Sequence, residues 1–391
     1  MRYAPVTERL AGLGSEKWTL SIAASARKRA GRAVIDLTIG EPDTPTPEPL
    51  VQTAARAMSS GRTGYSNGRG EPSALAALSA HYSAACSRDI TADRFLCLPG
   101  TQTALFVALM TICDPASEVI LGDPMYATSE GLIRASGGVP VPVALRPEKG
   151  FRLQAADVAA RITPTTRAIL VNTPHNPTGV VLDRAEMAAI ADVCLTHDLW
   201  LMSDEVYWSL VYDRAHTSAR SLPGMADRTV VISSLSKSHS MTGWRLGWAV
   251  VPPILAEAME NFLLCTIYGL PAFIQDVAPV ALAEDDVSAA DLCARFQTRR
   301  DLVCDLLAGV DGLAARKPEG GMFVMADVRG TGVGSEVFAN RLLDRYGVSL
   351  LAGEGFGGGA DGFVRISLSA PEDRLVEACR RIAAYVAEGA G

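Results

Sequence analysis

The stretch VVISSLSKSHSMTGWRLGWAV, residues 230–250, is the most informative part of this chain. Its β-branched beginning predicts a buried strand. A polar turn follows and contains Lys237, with Ser234 three residues before the lysine and Arg245 eight residues after it. A lysine just beyond a core strand, with a hydroxyl and a guanidinium nearby, suits a covalent amine–carbonyl site beside a phosphate. The alternative interpretation is a surface loop in which the lysine and the arginine are solvated.

Composition and charge exclude several classes of partner. The 391 residues are 48% hydrophobic and 20% charged, and a chain of this length is expected to form two domains. The net charge of −7, without a basic block, argues against a nucleic-acid or membrane-surface partner. The N-terminus lacks the apolar core of a signal peptide, and no apolar run approaches a membrane span. We therefore expect a cytoplasmic protein.

The cysteines and histidines predict no metal site. The eight cysteines are scattered, none of them in a C-x-x-C pair, and several lie inside apolar segments. This usage is typical of reduced cytosolic thiols and not of a disulfide framework or a zinc site. The five histidines also lack the spacing of metal ligands.

Short apolar runs alternate with helix-like segments through the middle of the chain. The runs expected to form strands are 94–98, 118–121, 139–145, 167–172, 200–203, 229–233 and 246–251. Helical spacing marks the segments between them, such as 103–112 and 184–197. This alternation predicts an α/β domain with a largely parallel sheet.

Beyond residue 284 the pattern changes and predicts a smaller α+β domain. It combines helical segments with short apolar runs, namely 289–307, 322–327, 363–368 and 371–387. We expect residues 15–47 to pack with it. The predicted division is therefore an N-terminal segment (1–47), a large domain (48–283) and a small domain (284–391).

Several polar residues follow strands of the predicted sheet. Asn176 comes after 167–172, Asp204 and Tyr207 come after 200–203, and Lys237 comes after 229–233. In open α/β sheets, ligands bind outside the carboxyl ends of the strands, so these side chains are expected in one crevice. Each has an ordinary alternative: Asn-Pro is often a turn, Asp204 could cap a helix, and Tyr207 could be core.

Two glycine-rich stretches do not match a nucleotide-binding motif. Residues 61–70 and 353–362 do not form the strand-to-helix turn with a later acidic residue that the dinucleotide fingerprint requires. Residues 100–102, directly before a helix-like run, are a better setting for a phosphate at a helix N-terminus.

Taken together, the motifs resemble a known family. They are GEPD (40–43), YSNGRG (65–70), NTPHNPTG (172–179), SDEVY (203–207), SLSKSHSMTGWRLG (234–247) and FVRISLS (363–369). The set is similar to fold-type I pyridoxal-phosphate (PLP) aminotransferases, the class I/II aspartate aminotransferase family, from about residue 9 to the C-terminus. YGLPAFIQD (268–276) and GGMFVMAD (320–327) contribute to a closer likeness to bacterial arginine–pyruvate transaminases. The fold implied is a large domain with a mostly parallel seven-stranded sheet plus a smaller α+β domain.

The resemblance implies roles for individual residues around the cofactor ring. Lys237 would bond covalently to PLP and, once freed by an amino acid, act as the general base. Asp204 would keep the pyridine nitrogen protonated, so that the ring can act as an electron sink. Tyr207 and Asn176 would hydrogen-bond the phenolic oxygen, and Tyr126 would stack on the ring.

The resemblance also implies residues for the phosphate and for the substrate. The phosphate would be held by Arg245, Ser234, Gly100, Thr101 and Gln102, with Tyr65 reaching it from the partner subunit of a homodimer. Substrate-binding residues would be Arg365, Gly40, Asn176 and Trp18. Among these Arg365 would grip the α-carboxylate through its planar fork.

The donor amino acid is less specified. The resemblance implies that an aspartate-specific member would bind the second carboxylate with an arginine of the partner subunit from the segment 246–275. That segment contains no arginine or lysine here, which disfavours a dicarboxylate donor. A basic donor such as arginine, with pyruvate as acceptor, would need a carboxylate in the side-chain pocket. Glu16 and Asp123 are the candidates, with Trp18 and Thr19 expected along that pocket. Three alternatives stay open: an aspartate or aromatic aminotransferase using 2-oxoglutarate, a PLP-dependent carbon–sulfur β-lyase on the same fold, and a non-enzymatic ligand sensor.

Overall fold

The computed structural model of the chain describes residues 1–283 and 287–389. The helices in chain order are α1 Val6–Arg9, α2 Thr19–Arg29, α3 Glu48–Ser59, α4 Pro72–Cys86, α5 Gly100–Ile112, α6 Ser129–Ala135, α7 Ala155–Ala159, α8 Arg184–His197, α9 Pro253–Thr266, α10 Ala272–Gln275, α11 Ala278–Ala281, α12 Ser288–Leu307, α13 Ser335–Tyr346 and α14 Glu372–Ala387. The strands are β1 Ile35–Asp36, β2 Phe95–Pro99, β3 Glu118–Asp123, β4 Val139–Ala144, β5 Thr166–Asn172, β6 Trp200–Asp204, β7 Thr229–Ser234, β8 Leu246–Val250, β9 Ala314–Arg316, β10 Phe323–Asp327, β11 Val348–Ser349, β12 Leu351–Ala352 and β13 Phe363–Ser367.

The middle of the chain forms a seven-stranded sheet in the order β2-β8-β7-β6-β5-β3-β4. The neighbours from β4 to β7 are parallel, whereas β8 runs antiparallel to both β7 and β2. Every residue of β7 and β8 is buried, because helices cover both faces of the sheet. The predicted α/β fold with a mostly parallel sheet is confirmed.

The predicted strands of this sheet agree with the observed ones to within two residues at either end. Helix α5 is the larger difference, because it begins at Gly100 and not at residue 103. Gly100 has φ +78°, a left-handed conformation that glycine adopts without a steric penalty. The helix therefore starts immediately after the end of β2, and residues 100–102 form its first turn.

A second, antiparallel sheet has the order β12-β13-β10-β9 and packs with α12, α13 and α14. The N-terminal segment joins this unit, because β1 pairs with β11, and α2 shares its buried cluster. The exact domain boundaries stay predictions. The one at 283/284 adjoins residues 284–286, which lie outside the described residues.

The stretch between β1 and α3 runs between the two sheets. We call residues 37–46 the connecting segment. Its first part hydrogen-bonds the second sheet, where Ser367 N donates to Leu37 O over 2.9 Å. Its last part contacts the loop after β7, where Thr46 Oγ1 donates to Ser240 O over 2.8 Å. The space between the sheets, beside this segment, is therefore bounded by both units.

Among the described residues, no helix combines the length and apolar character needed to cross a bilayer. Within the same residues, no cluster of three or more histidine, cysteine, aspartate or glutamate side chains has a geometry that could hold a metal ion.

Candidate active site

An open cavity of about 970 Å³ lies where the carboxyl ends of β5, β6 and β7 face the second sheet. Many of the residues singled out from the sequence line it, namely Trp18, Gly40, Thr101, Gln102, Tyr126, Asn176, Asp204, Tyr207, Lys237, Arg245 and Arg365. The sequence assigns no individual role to the other lining residues, namely Ile39, Asn172, Val206, Ser236, Thr242 and Phe323. Parallel strands bring residues that are far apart in the chain to the same edge.

Lys237 follows β7 and is the amine of the cavity. Its Nζ donates a hydrogen bond to the backbone carbonyl of Gly40. Burial lowers the pKa of Lys237 to about 8, with Glu41 opposing the shift and the nearby guanidinium groups of Arg365 and Arg245 supporting it. A larger fraction of this amine is therefore neutral near physiological pH than for an exposed lysine, as a nucleophile or a general base requires.

Asp204 is the last residue of β6 and is buried. Its Oδ1 accepts a hydrogen bond from the backbone N–H of Val206 over 3.1 Å. Burial raises the pKa of Asp204 to about 7, against the opposing effects of that hydrogen bond and of Lys237. A cationic group placed against the buried Asp204 side chain would stabilise its ionised form.

Two asparagines connect Asp204 to Tyr207. Asn172 Nδ2 donates to the Asp204 carbonyl over 3.0 Å, and Asn172 Oδ1 accepts from the backbone N–H of Asn176 over 2.8 Å. Asn176 Nδ2 donates to the Tyr207 hydroxyl over 3.5 Å. Burial raises the pKa of Tyr207, so this phenol is neutral and keeps a proton to donate. Asn172 belongs to the NTPHNPTG motif, but the sequence assigns it no role because it lies inside the predicted strand 167–172.

The other end of the cavity has the features of an anion site. Helix α5 begins there, and its first N–H groups have no partners within the helix. Arg245 packs directly on this turn, so that a Cβ at Gly100 would overlap its guanidinium. Arg245 Nη1 donates to Thr242 O over 2.8 Å, and Nη2 donates to Pro99 O over 3.3 Å. A guanidinium beside a helix N-terminus favours a phosphate.

Ser234 and Gly100 lie behind the cavity and do not form its lining. Ser234 is buried at the end of β7, and its Oγ accepts from the backbone N–H of Ser236 over 3.2 Å. Ser236 lines the cavity in its place. Gly100 has no surface in the cavity, but its lack of a side chain leaves room for the Arg245 guanidinium.

Arg365 projects from β13 of the second sheet and is buried. Nη1 donates to Asn176 Oδ1 over 2.9 Å, and Nη2 donates to Thr38 O over 2.6 Å. The guanidinium carbon lies 3.8 Å from the ring centre of Phe323 and 4.8 Å from that of Phe356. Burial lowers the pKa of Arg365 to about 10, so it stays cationic at neutral pH.

The Nε of Arg365 is buried and has no hydrogen-bond partner among the described residues. Leaving a buried donor unpaired is costly, and an incoming carboxylate would add acceptors beside this cation. The arrangement suits recognition of a carboxylate group.

Gln102 and Tyr126 lie together at one wall. Gln102 Nε2 donates to the Tyr126 hydroxyl over 3.5 Å and to Thr128 Oγ1 over 3.2 Å. Trp18 lines the cavity from the N-terminal segment.

Tyr65 does not reach the cavity of its own chain. Its side chain is 89% exposed, and its ring centre lies 4.8 Å from that of Tyr268. Both rings line a separate surface cavity. The expected role of Tyr65 in a partner subunit stays a prediction.

The two carboxylates suggested for a basic donor do not line the cavity. The Asp123 carboxylate accepts from the backbone N–H of Gly359 over 3.1 Å, so it is directed into the glycine-rich segment. Glu16 and Thr19 line a neighbouring cavity together with Glu336. Among the described lining residues, Asp204 is the one acidic side chain. The sequence could not reveal these directions, since they depend on loops distant in the chain.

Comparison with known proteins identifies the family of this chain. The sequence model of the family "Aminotransferase class I and II" matches residues 32–382. The chain is 46% identical to arginine–pyruvate transaminase AruH of Pseudomonas aeruginosa, over 99% of both proteins. It is 32% identical to an aspartate aminotransferase of Musicola paradisiaca, over 98% of this chain and 97% of that one.

The fold is shared with solved structures. The aspartate aminotransferase of Thermus thermophilus with maleate superimposes with a TM-score of 0.92 at 31% identity, covering 98% of this chain and 100% of that one. The chain belongs to the class I and II aminotransferase family and is an aminotransferase with the fold-type I architecture. The family resemblance read from the motifs is confirmed.

Proposed function

We propose that this aminotransferase holds PLP in the cavity between its two sheets and transfers an amino group from arginine, or another long non-acidic amino acid, to pyruvate. The observation that carries the proposal is the combination of a buried amine, a buried carboxylate and an anion site in one cavity. The 46% identity to an arginine–pyruvate transaminase over the whole chain supports the choice of substrates.

The residues of the cavity fit PLP at each of its functional groups. Lys237 offers an amine of lowered pKa to the aldehyde. Asp204, whose burial disfavours its charge, would gain a cationic partner in the protonated ring nitrogen. Arg245 and the first turn of α5 would hold the phosphate. When bound, the cofactor supplies an electron sink for the carbanion at the substrate Cα.

The chain's own groups would then carry the proton and position the substrate. Lys237 would act as the general base that removes the proton from the substrate Cα. Arg365 would bind the α-carboxylate, which every donor and acceptor shares, so one guanidinium serves both halves of a ping-pong reaction. Tyr207, with Asn176, would donate to the phenolic oxygen of the cofactor.

The charges of the cavity support a non-acidic donor. Its cationic residues among the described lining are Lys237, Arg245 and Arg365, and each has a role above. A second substrate carboxylate would be desolvated there without a cation of its own, which is expensive. Residues 246–275, which contain no lysine or arginine, supply no substitute from the partner subunit. The relatives described above give no support to the β-lyase or sensor alternatives.

The substrate proposal is tested by comparing kcat/KM for arginine with pyruvate against aspartate with 2-oxoglutarate. We expect the first pair to be better by at least about tenfold, or roughly 1.4 kcal/mol in the barrier. A tenfold advantage of aspartate would refute the specificity and leave the aminotransferase class intact. Donor alone should produce stoichiometric pyridoxamine phosphate, whereas a β-lyase would not.

The cofactor proposal is tested at Lys237. The purified protein should absorb visible light, and borohydride followed by peptide mapping should place a pyridoxyl label on this lysine. Lys237→Ala should remove the absorption and the turnover, while Lys149→Ala, at an exposed lysine, should change neither. A label on a different lysine would overturn the assignment.

We further propose a homodimer in which Tyr65 completes the phosphate site of the partner subunit. The exposure of Tyr65, and its separation from the cavity of its own chain, support this. A cytoplasmic location is proposed as well, and the eight free cysteines support it.

A further inference from the structure

The backbone carbonyls of the connecting segment accept hydrogen bonds from side chains on both sides of the cavity. Thr38 O accepts from Arg365 over 2.6 Å, and Ile39 O accepts from Ser367 Oγ over 2.6 Å. Gly40 O accepts from Lys237. The guanidinium and the amine therefore bond to carbonyls that lie two residues apart in one segment, Thr38 O and Gly40 O.

This segment has little freedom to shift by itself. A Cβ at Gly40 would overlap the ring of Phe323, so the backbone lies directly on that ring. The same ring stacks on the Arg365 guanidinium at 3.8 Å. A displacement of the segment would therefore disturb Lys237 and Arg365 together.

An ion pair between buried Arg299 and partly exposed Asp43 joins the segment to the helices of the second sheet. Arg299 of α12 is 2% exposed, and its Nη1 and Nη2 donate to the two carboxylate oxygens of Asp43 over 2.7 and 3.0 Å. Its Nε donates to Glu372 Oε1 over 2.8 Å, and Nη1 also reaches Leu368 O at 3.3 Å. Asp43 lies three residues after Gly40 in the GEPD motif.

We infer that Arg299 is a positioning residue for this aminotransferase: through its fork on Asp43 it holds the connecting segment, and thereby aligns Lys237 and Arg365. The fork defines both distance and orientation, because two parallel hydrogen bonds join planar groups. Lysine at this position would keep the charge but supply one ammonium, which cannot bond Asp43 and Glu372 in the same geometry. This role rests on the proposed functions of Lys237 and Arg365.

The chain offers a matched control in the adjacent residue. Arg300 lies on the same helix, is 1% exposed and pairs with Asp213 over 2.8 Å and with Asp301 over 2.8 Å. Arg300 Nη1 also donates to Pro318 O over 3.2 Å, and none of these partners belongs to the connecting segment. Arg300→Lys therefore makes the same chemical change at an equally buried arginine that does not bond the connecting segment.

The test compares Arg299→Lys with Arg300→Lys in two measurements. Hydrogen–deuterium exchange of the cofactor-free protein should accelerate across residues 37–46 in Arg299→Lys, by about tenfold or more, and stay unchanged there in Arg300→Lys. In the loaded enzyme, Arg299→Lys should raise KM for pyruvate and for the amino donor by about fivefold to tenfold. Equal effects of the two variants, or normal exchange over residues 37–46, would overturn the inference.

A second variant tests the pair from the other side. Asp43→Asn should reproduce the effect on residues 37–46, and the double variant Arg299→Lys/Asp43→Asn should be no worse than the poorer single variant, because both changes break one contact. Additive effects would contradict a shared role. The exchange measurement needs no cofactor, so it still tests the positioning role if Lys237 takes no pyridoxyl label and the proposed function fails.

Discussion

Burial determines the chemistry of the individual residues in this cavity. It lowers the pKa of Lys237 to about 8, raises that of Asp204 to about 7 and lowers that of Arg365 to about 10. In each case the neutral form gains relative to the charged one. The lysine and the aspartate therefore titrate close together, although their ordinary values are far apart. Such a pairing in a cleft is typical of functional sites.

Asp204→Asn should lower turnover and raise the stability of the folded protein. The first effect tests the proposed catalytic role of this carboxylate. The amide can still accept the Val206 hydrogen bond but cannot hold a proton on a ring nitrogen. The variant should retain PLP and lose turnover by several orders of magnitude, which corresponds to several kcal/mol in the barrier. Near-normal turnover of the folded, cofactor-loaded variant would refute the role.

The stability effect has a defined sign in the cofactor-free protein. The pKa of Asp204 is about 7 in the folded state, against an ordinary value near 3.8. The folded state therefore holds a proton that the unfolded state loses as pH rises between those values, so the carboxyl destabilises the fold increasingly up to pH 7. We therefore compare the free energy of unfolding of Asp204→Asn with that of the native chain. The difference in favour of the variant should grow by roughly 2–3 kcal/mol as the pH rises from 5 to 7. Chemical denaturation at both pH values measures this, with Asp227→Asn, an 81% exposed side chain, as the control.

At the scale of secondary structure, the junction of β2, α5 and β8 builds the anion site. Gly100 turns the chain from strand into helix with φ +78°, and its missing side chain lets Arg245 approach the first helical turn. Gly247 of β8 lies equally close, since a Cβ there would be 2.8 Å from Gly100 Cα. Two strands and a helix thus meet with glycines at their contact, and this permits a guanidinium beside the helix N-terminus.

Gly100→Ala should weaken PLP binding. The added methyl group would displace the Arg245 guanidinium, and the left-handed backbone would cost alanine about 1 kcal/mol more. We expect the dissociation constant for PLP, measured by fluorescence titration, to rise by about tenfold or more. Gly243→Ala is the matched control, since no atom lies within 4 Å of its added Cβ and its φ is not positive. Equal affinity of the two variants would contradict the proposed phosphate site.

At the scale of the whole molecule, one predicted phosphate contact lies outside the cavity of its own chain. Tyr65 is 89% exposed and packs on Tyr268, in a surface cavity that also includes Phe273. Aromatic side chains at such exposure are typical of protein interfaces. A second copy of the chain would cover this surface and receive the phenol.

Hybrid dimers test this assembly. Lys237→Ala and Tyr65→Ala subunits should each form poorly active homodimers, but a mixture should regain activity. One of the two sites in the hybrid would then contain both an intact Lys237 and the partner's intact phenol. Sedimentation should show a dimer as the smallest active species, and a fully active monomer would contradict the proposal.

Much of the large sheet and part of the site could be predicted from local sequence. Asn176, Asp204 and Lys237 each follow a recognisable buried strand, and parallel strands bring their ends to one edge. Helical periodicity predicts a start of α5 at residue 103, three residues too late, because the turn into the helix depends on the left-handed conformation of Gly100.

The sequence by itself determined the family, which polar residues follow which strands, and which lysine lies in the cavity. Each of these depends on residues that are adjacent in the chain. Only the tertiary structure decided which groups contact them. The carbonyls of the connecting segment, the Phe323 ring under Arg365 and the Asp43–Arg299 pair, 256 residues apart, carry no periodic signal. Asp123 likewise turned out to face Gly359, 236 residues away, and not the cavity. Such contacts form only when the two sheets pack together. The surroundings of each functional group therefore depend on the packing and not on its neighbours in the chain.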